Sequence, residues 1–176
     1  SLMSFFYSLK EMGHWEDSRE SNLLDGFAHF YDTYECSDNK YIAVGSIEPQ
    51  FYSELLDKLE IDDEQYKDQH NKDLWPELKE KMALQIKLKS RSEWVEIFSD
   101  SDACVSPVLS MEEAQEHPHN LARDAFANID GFCQPNASPR FSITNSEIKH
   151  NAKAIGSDQD DIYKEFNLRK EAFLKN

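Results

Sequence analysis

The chain has 176 residues, 39% of them hydrophobic, which is enough for one domain or for one small domain with attached pieces of another. Its formal net charge of −15 argues against nucleic acid and against an anionic membrane surface as partners, because both bind through clustered lysines and arginines. No run of 18 apolar residues occurs, so no membrane-spanning helix is predicted.

The first elements are predicted to be a helix, a β-hairpin and a second helix. Apolar residues at helical spacing begin at Phe5, and they give way to a polar stretch before Leu24. Two segments rich in Tyr, Val and Ile, HFYDTYEC and KYIAVGSI, flank the turn-like tripeptide SDN and predict an antiparallel hairpin. A helix follows from Pro49 to about Leu59, with proline at its first position, where a missing N–H costs nothing.

The middle of the chain is predicted to be largely helical. We interpret the acidic stretch at residues 54–73 as a solvated loop or helix face. A four-residue step of apolar residues predicts a helix at about 73–89. Ser90 or Ser92 is expected to cap the helix after it. The residues expected to face inward on that helix are Trp94, Val95, Ile97 and Phe98.

Shorter elements complete the chain. Pro107 interrupts an apolar run, which predicts a strand at the edge of a sheet. Ser110 and Glu113 form a capping-box pattern at the start of another helix, and a helical turn and a short strand follow it. Residues 131–140 are expected to be extended, and residues 155–176 to hold two short helices.

This order of elements indicates an α+β fold, a small domain with a short antiparallel sheet and several helices. We place that domain at residues 29–128. Residues 1–28 are expected to form a linker helix and an arm, and residues 129–176 a C-terminal segment. Both flanking parts are expected to need another body to pack on, since they show little core of their own.

Glu48 follows a predicted apolar strand and comes directly before the helix that begins at Pro49. A carboxylate at this place feels the positive end of the helix and its free N–H groups, which favour the ionised form. One interpretation is a helix cap, although glutamate caps poorly beside aspartate or serine. A charged side chain at the end of an apolar strand is also suited to hydrogen-bond a catalytic imidazole, and both interpretations remain open.

Other motifs that would indicate chemistry are absent from the sequence. His117 and His119 have no third ligand at regular spacing, so a helix start is favoured over a zinc site and no metal is expected. Cys36, Cys104 and Cys133 are widely separated, which predicts neither a disulfide framework nor a metal site and fits a reducing, cytoplasmic location. No nucleophile elbow, P-loop or dinucleotide-binding glycine pattern occurs.

Several segments together resemble one protein family. In chain order they are LLDGFAHFYDTYECSDNKYIAVGSIEPQFYSELL, WPELKEKM, RSEWVEIFSDSDACVSPVLSMEEAQEHPHNLAR and QPNASPRFS. They are similar to the 2-methylacyl-CoA racemase branch of the family III CoA-transferases, and AVGSIEPQFY and DACVSPVL are specific within it. The resemblance covers the second half of a family member, so we expect a fragment that lacks the N-terminal large domain.

The resemblance implies an assembly and a reaction. Family members form a large and a small domain, and two subunits interlock as a homodimer with the active site between one subunit's large domain and its partner's small domain. The substrate is an acyl-CoA thioester, no separate cofactor is implied, and the 2-methyl centre is inverted by removal and return of the alpha proton. The family's His and Asp that move this proton belong to the absent half, so the fragment alone is expected to be inactive.

The resemblance also assigns roles to residues of this chain. Glu48 matches the glutamate of the family's IEPQF motif, which pairs with the catalytic His, holds its imidazole in orientation and favours its protonated form. The residues that match the acyl pocket, with ordinary core packing as the alternative interpretation, are Leu23, Leu24, Tyr31 and Ile47. Asp25 and Asp102 match family motifs too, and we interpret them as turn or cap residues.

Two departures from the family pattern leave other functions open. Phe27 and His29 replace small or rigid residues of the usual DGGAPFY, and residues 156–159 read GSDQ where the family usually has GEHT. One alternative is a CoA-transferase that uses an aspartyl nucleophile from the absent half, although GSIEPQFY lacks the glycine-rich loop that transferases tend to carry. The other alternative is a binding module without catalysis, which the changes at Phe27 and His29 keep open.

Overall fold

A computed structural model of the chain describes residues 2–168. These residues divide into two compact units, with the division between Leu109 and Ser110. The first unit contains α1 (Ser4–Glu11), β1 (Tyr31–Glu35), β2 (Tyr41–Gly45), α2 (Pro49–Lys58), a 3₁₀-helix (Glu64–Lys67), α3 (Trp75–Ile86), α4 (Arg91–Phe98) and β3 (Val105–Pro107). The second contains α5 (Met111–Glu116), α6 (Pro118–Ala122), β4 (Phe126–Ile129), β5 (Phe132–Pro135) and α7 (Gln159–Glu165). The α+β fold predicted from the sequence is confirmed.

The sheet of the first unit is a three-stranded antiparallel sheet with β2 in the centre. Tyr34 pairs with Ile42 across the β1–β2 hairpin, and Ile42 pairs with Pro107 on the other side. The tight turn places Asn39 at φ 59°, a left-handed conformation that asparagine tolerates better than most residues. Pro107 lacks an N–H, and its position in an edge strand leaves no ladder bond unmade. The predicted hairpin and edge strand are therefore both confirmed.

The core of the first unit lies between the inner face of this sheet and helices α2, α3 and α4. On β2, Ile42 and Val44 are buried while Ala43 and Gly45 are not, which is the alternation expected of a strand with one covered face. Burying a large apolar side chain contributes about 1.5–3 kcal/mol each. The fully buried helical residues that face the sheet layer are Leu55, Trp75, Leu78, Met82, Ile86 and Trp94.

Helix α4 begins with a complete capping box at Ser90. The Ser90 hydroxyl accepts a hydrogen bond from the Glu93 N–H, and the Glu93 carboxylate accepts one from the Ser90 N–H at 2.8 Å. This decides between the two predicted caps. Trp94 and Phe98 are buried as expected, but the prediction that Val95 faces inward is wrong, since its side chain is 38% exposed. A step of one residue turns the side chain by about 100° around the helix, away from the face of Trp94.

The second unit buries little apolar surface of its own. Helix α5 begins with the predicted capping box of Ser110 and Glu113, and α6 begins at Pro118 as the helix start predicted for that segment. Strands β4 and β5 form a hairpin, so part of the stretch at 131–140 is a strand. Among the described residues of this unit no hydrophobic side chain is buried.

The C-terminal helices and the limits of the small domain were also predicted from the sequence. Of the two short helices predicted for residues 155–176, α7 is present, and residues 169–176 lie outside the described part of the chain. The limits of 29–128 for the small domain refer to packing on a large domain, and they stay a prediction. No helix among residues 2–168 has the length and apolar composition needed to cross a lipid bilayer.

A histidine, His29, lies inside the aromatic part of the core. It is fully buried, and its Nε2 lies 2.7 Å from the Tyr52 hydroxyl, which itself donates to the Tyr66 carbonyl at 3.0 Å. Because the hydroxyl has one proton and uses it on Tyr66, Nε2 must be the donor in the first bond. The buried Nδ1 has no hydrogen-bond partner. Burial, and secondly the charge of His70, lower the pKa of His29 to about 4.

The capping box at Ser90 generates one stability prediction. Ser90→Ala should lower the free energy of unfolding by about 1 kcal/mol, because the helix loses its side-chain cap while Trp94 stays buried. Ser92→Ala is the matched control on the exposed face of the same helix and should change stability little. Chemical denaturation of both variants measures the difference, and equal losses would contradict the assignment of the cap.

The buried imidazole generates a prediction about pH. His29 binds a proton less readily in the folded chain than in the unfolded chain, whose ordinary pKa is 6.5. Its contribution to stability is therefore complete above about pH 6.5 and is lost as the pH falls toward 4, a loss on the order of 3 kcal/mol. His29→Phe should remove this part of the acid destabilisation.

Denaturant unfolding at several pH values between 7 and 4 measures this contribution as the difference between the wild-type chain and the variant. His14→Phe, at an exposed histidine, is the control for general effects of the substitution. A wild-type chain and a His29→Phe variant that lose stability in parallel would contradict the prediction.

Candidate functional site

Glu48 lies at the junction between β2 and α2, and its carboxylate is exposed. Glu48 has extended backbone angles, φ −72° and ψ 142°, and occupies the N-cap position of α2. Its carbonyl accepts the Tyr52 N–H at 2.9 Å, but its side chain makes no capping hydrogen bond. Of the two interpretations left open by the sequence, the side-chain cap is therefore not the one adopted, and the carboxylate stays available to another group.

The backbone that leads into Glu48 is held by buried polar contacts. Ser46 is fully buried, its N–H donates to the Phe30 carbonyl at 3.0 Å, and its hydroxyl donates to the Ala103 carbonyl. The side-chain amide of Gln69 donates to the carbonyls of Ser46 and Ile47 at 3.1 and 3.0 Å. The exposed Glu48 carboxylate therefore extends from a backbone segment that buried hydrogen bonds hold in place.

Gln69 was not predicted to be a site residue, because it lies in the acidic stretch at residues 54–73 that was expected to be solvated. The acidic side chains there are mostly exposed, as expected, but Tyr66 and Gln69 are buried. Buried polar residues in such a stretch leave no periodic signal, because each is surrounded by charged neighbours. A lone tyrosine in the run EQYKDQH is the one hint that this segment touches the core.

Three carboxylates surround an exposed thiol beside the junction. Partial burial, followed by the negative charges of Glu48, Asp102 and Glu54, raises the pKa of the Cys104 thiol. The Asp102 N–H donates to the Glu54 carboxylate at 3.2 Å, so these two residues are tied together. This negative environment favours a cation next to Glu48 and keeps the thiol protonated, which makes Cys104 a poor nucleophile.

A groove of about 430 Å³ runs along the outer face of the sheet near Cys104. Small residues, Ala43, Gly45 and Ser106, form part of its lining together with Tyr31. Of the four residues assigned to the acyl pocket, Tyr31 lines this groove, whereas Leu23 and Ile47 are partly buried against the core and Leu24 is 38% exposed. The pocket role of these four residues stays a prediction.

Phe27 and His29, which depart from the family's usual DGGAPFY, have structural roles in this chain. Phe27 packs edge-to-face against Trp75, with 5.4 Å between ring centroids, and His29 lies in the core.

Asp25 accepts hydrogen bonds from the N–H groups of Ser21 and Asn22. Burial alone would raise the pKa of Asp25, but the hydrogen bonds from Asn22 and its neighbours outweigh it and lower the pKa. This geometry fits the interpretation of Asp25 as a turn residue.

Within residues 2–168, no group of three or more His, Cys, Asp or Glu side chains could hold a metal ion. The site offers instead an ionisable carboxylate at the start of a helix, next to an open groove. Such a site can accept a hydrogen bond from a protonated base.

Comparisons with known proteins identify the family. The profile described as CoA-transferase family III matches residues 2–159. Alpha-methylacyl-CoA racemase from Mus musculus is 38% identical over 177 residues, covering 99% of this chain and 46% of the mouse protein. The Homo sapiens protein of the same name is 37% identical over 175 residues, covering 97% and 45%. The CaiB/baiF CoA-transferase family protein ZK892.4 from Caenorhabditis elegans is 31% identical over 121 residues, covering 67% and 33%.

Solved structures share the fold at lower identity. Rv3272 from Mycobacterium tuberculosis, in an orthorhombic crystal form, gives a TM-score of 0.60 at 13% identity, covering 83% of this chain and 39% of that one. A point mutant of the same protein gives 0.61 at 13% identity, covering 90% and 42%. Since the identity is low, this likeness establishes the fold alone.

The chain spans less than half the length of its mouse and human relatives. The profile match nevertheless covers most of the chain, and the relatives are similar from one end of it to the other. The resemblance predicted from the motifs is confirmed: this chain belongs to CoA-transferase family III.

Proposed function

We propose that the intact protein is a 2-methylacyl-CoA racemase, to which this chain contributes the glutamate of the active site. The observation that carries the proposal is the exposed, uncapped carboxylate of Glu48 in the motif AVGSIEPQFY. The mouse and human relatives, which are similar over nearly the whole chain, bear the name of this activity. Their names support acyl-CoA thioester chemistry. The exposed position of Glu48 supports a role in which its carboxylate pairs with a catalytic imidazole.

The reaction removes the proton alpha to the thioester carbonyl and returns a proton to the opposite face. The electron pair of the broken C–H bond moves into the enolate, whose negative charge must be stabilised. Two acid/base groups are needed, one on each face of the carbon. In this proposal they are the His and Asp that the family resemblance places in the part of the protein outside this chain.

Glu48 would act on the imidazole and not on the substrate. Its carboxylate would accept a hydrogen bond from the ring N–H, fix the ring orientation and stabilise the imidazolium form after proton transfer. The carboxylate lies at the N-cap of α2, where the N–H groups of the first turn carry partial positive charge. The neighbouring charges of Asp102 and Glu54 add to the negative potential that a cationic ring would experience.

The groove on the outer sheet face is the proposed place for part of the acyl chain. Tyr31 lines it, and Leu23, Leu24 and Ile47 are proposed to contribute once the missing domain covers this surface. The proposal also includes a homodimer in which a large domain supplies the proton carriers. The isolated chain is accordingly proposed to be inactive, because no imidazole is paired with Glu48 among its described residues.

The test uses the full-length protein and its exchange of the alpha proton. Incubation of 2-methylacyl-CoA in heavy water should give deuterium at carbon 2 together with loss of optical purity. Glu48→Gln should lower the rate of exchange by roughly 10²-fold, because the amide keeps the shape but cannot stabilise an imidazolium. The acidic limb of the pH–rate profile should also move to lower pH, since the imidazole then loses its proton more readily.

Glu60→Gln, at an exposed glutamate just beyond the other end of α2, is the matched control and should leave the rate unchanged. A wild-type protein that exchanges no alpha proton would reject the racemase. Unchanged turnover in Glu48→Gln would reject the role of Glu48. A mixed anhydride trapped on an aspartate of the intact protein would establish a CoA-transferase instead.

A further inference from the structure

The side-chain amide of Gln69 bonds the two carbonyl groups that directly precede Glu48. Gln69 is 7% exposed, and its Nε2 donates to the Ser46 carbonyl at 3.1 Å and to the Ile47 carbonyl at 3.0 Å. A carboxamide nitrogen has two N–H donors, so each carbonyl receives one. Both donors of this amide are therefore committed to the backbone of the junction.

These carbonyls lie where regular structure gives them no partner. Strand β2 ends at Gly45 and helix α2 begins at Pro49, so the peptide groups between them belong to neither a ladder nor a helix. A buried carbonyl without a hydrogen bond costs about 1–3 kcal/mol. The amide of Gln69 supplies the missing donors without bringing a charge into the core.

The position of Gln69 is itself fixed by the core. Its backbone carbonyl accepts a hydrogen bond from the Trp75 indole N–H at 2.7 Å. Trp75 is 2% exposed, and the ring of Phe30 packs edge-on against it at 5.6 Å. Because Gln69 is anchored through its main chain, its side chain can hold the junction against a rigid support.

A second contact ties the other side of Glu48 to the same segment. Tyr52, one helical turn after Glu48, donates its hydroxyl to the Tyr66 carbonyl at 3.0 Å. Residues 66–69 thus contact the chain on both sides of Glu48: Gln69 bonds the residues before it, and the Tyr66 carbonyl bonds Tyr52 after it. The peptide plane that contains the Ile47 carbonyl also contains the Glu48 N–H and Cα, and α2 begins at the next residue. Holding this plane together with the helix therefore restricts the directions in which the Glu48 side chain can leave the backbone.

We propose that Gln69 is a positioning residue for Glu48, acting through the Ser46 and Ile47 carbonyls. It holds the carboxylate at the angle needed to meet the imidazole, and this catalytic consequence rests on the proposed racemase function. An apolar side chain of similar size would fill the space but would leave both carbonyls without donors. A carboxylate would place acceptors against acceptors and push the junction apart.

The test is a double-mutant cycle in the full-length protein. Gln69→Leu should lower kcat for alpha-proton exchange by about tenfold or more, because small displacements of a catalytic group are costly. The KM for the acyl-CoA should stay nearly unchanged, since Gln69 is placed against backbone carbonyls and not in the groove. In a Glu48→Gln background the same substitution should have little further effect on kcat, because the group that it positions is already gone.

Gln85→Leu is the matched control. The Gln85 amide donates to the Leu59 carbonyl at 2.7 Å, so the same kind of contact is lost at the far end of α2. We expect its kcat to equal that of the wild type. Gln69→Glu provides a second variant of native size if Gln69→Leu fails to fold, as judged by thermal unfolding. Its ionised carboxylate cannot donate, and its kcat relative to the wild type should recover in part at acidic pH, where the protonated carboxyl can donate once.

The possible results distinguish the positioning role of Gln69 from the racemase activity on which it rests. If the wild-type protein exchanges the alpha proton but Gln69→Leu and Glu48→Gln act additively, the positioning role is rejected and the racemase stands. An unchanged kcat in Gln69→Glu, or an equal loss in Gln85→Leu, also rejects the positioning role. A wild-type protein that exchanges no alpha proton overturns the racemase and this inference together.

Discussion

The candidate site depends on one constraint: the backbone that joins β2 to α2 must pass through the core without leaving its polar groups unpaired. Ser46 is fully buried, and the carbonyls of Ser46 and Ile47 lie outside any helix or ladder. Gln69 satisfies those carbonyls, while the Ser46 hydroxyl and N–H are used on Ala103 and Phe30. All of these groups are paired without the Glu48 side chain, which makes no capping hydrogen bond and is exposed.

The aromatic core behind the junction contains a buried polar side chain, His29. His29 is buried with one ring nitrogen bonded to Tyr52 and the other without a partner. A neutral imidazole fills this space at neutral pH, but its protonation would place a charge among aromatic rings. The same Tyr52 hydroxyl that meets His29 also bonds the segment of Gln69, so the core histidine and the site share one hydrogen-bond chain. Changes at His29 are therefore felt close to Glu48.

Features with a local cause could be predicted from the sequence, and features set by tertiary contacts could not. The hairpin follows from two β-rich segments around SDN, and the caps at Ser90 and Ser110 follow from a three-residue spacing to glutamate. Glu48 could be placed at a strand–helix junction, but the donors that pair the backbone before it come from a segment about 20 residues further along the chain. Gln69 escaped notice because its charged neighbours have the composition of a surface. Val95 was misplaced because a short helix buries a narrower face than its apolar residues suggest.

The thiol of Cys104 provides an independent probe of the acidic corner beside it. Alkylating reagents attack the thiolate, and the surrounding carboxylates, Glu48 first among them, hold the sulfur in its unreactive form. The labelling rate of this cysteine consequently reports the electrostatic potential at the junction, even in a chain that carries out no reaction. Neutralising the glutamate would accelerate labelling, whereas a docked domain that covers the thiol itself would slow it, so docking can be followed by mass spectrometry before any substrate is known.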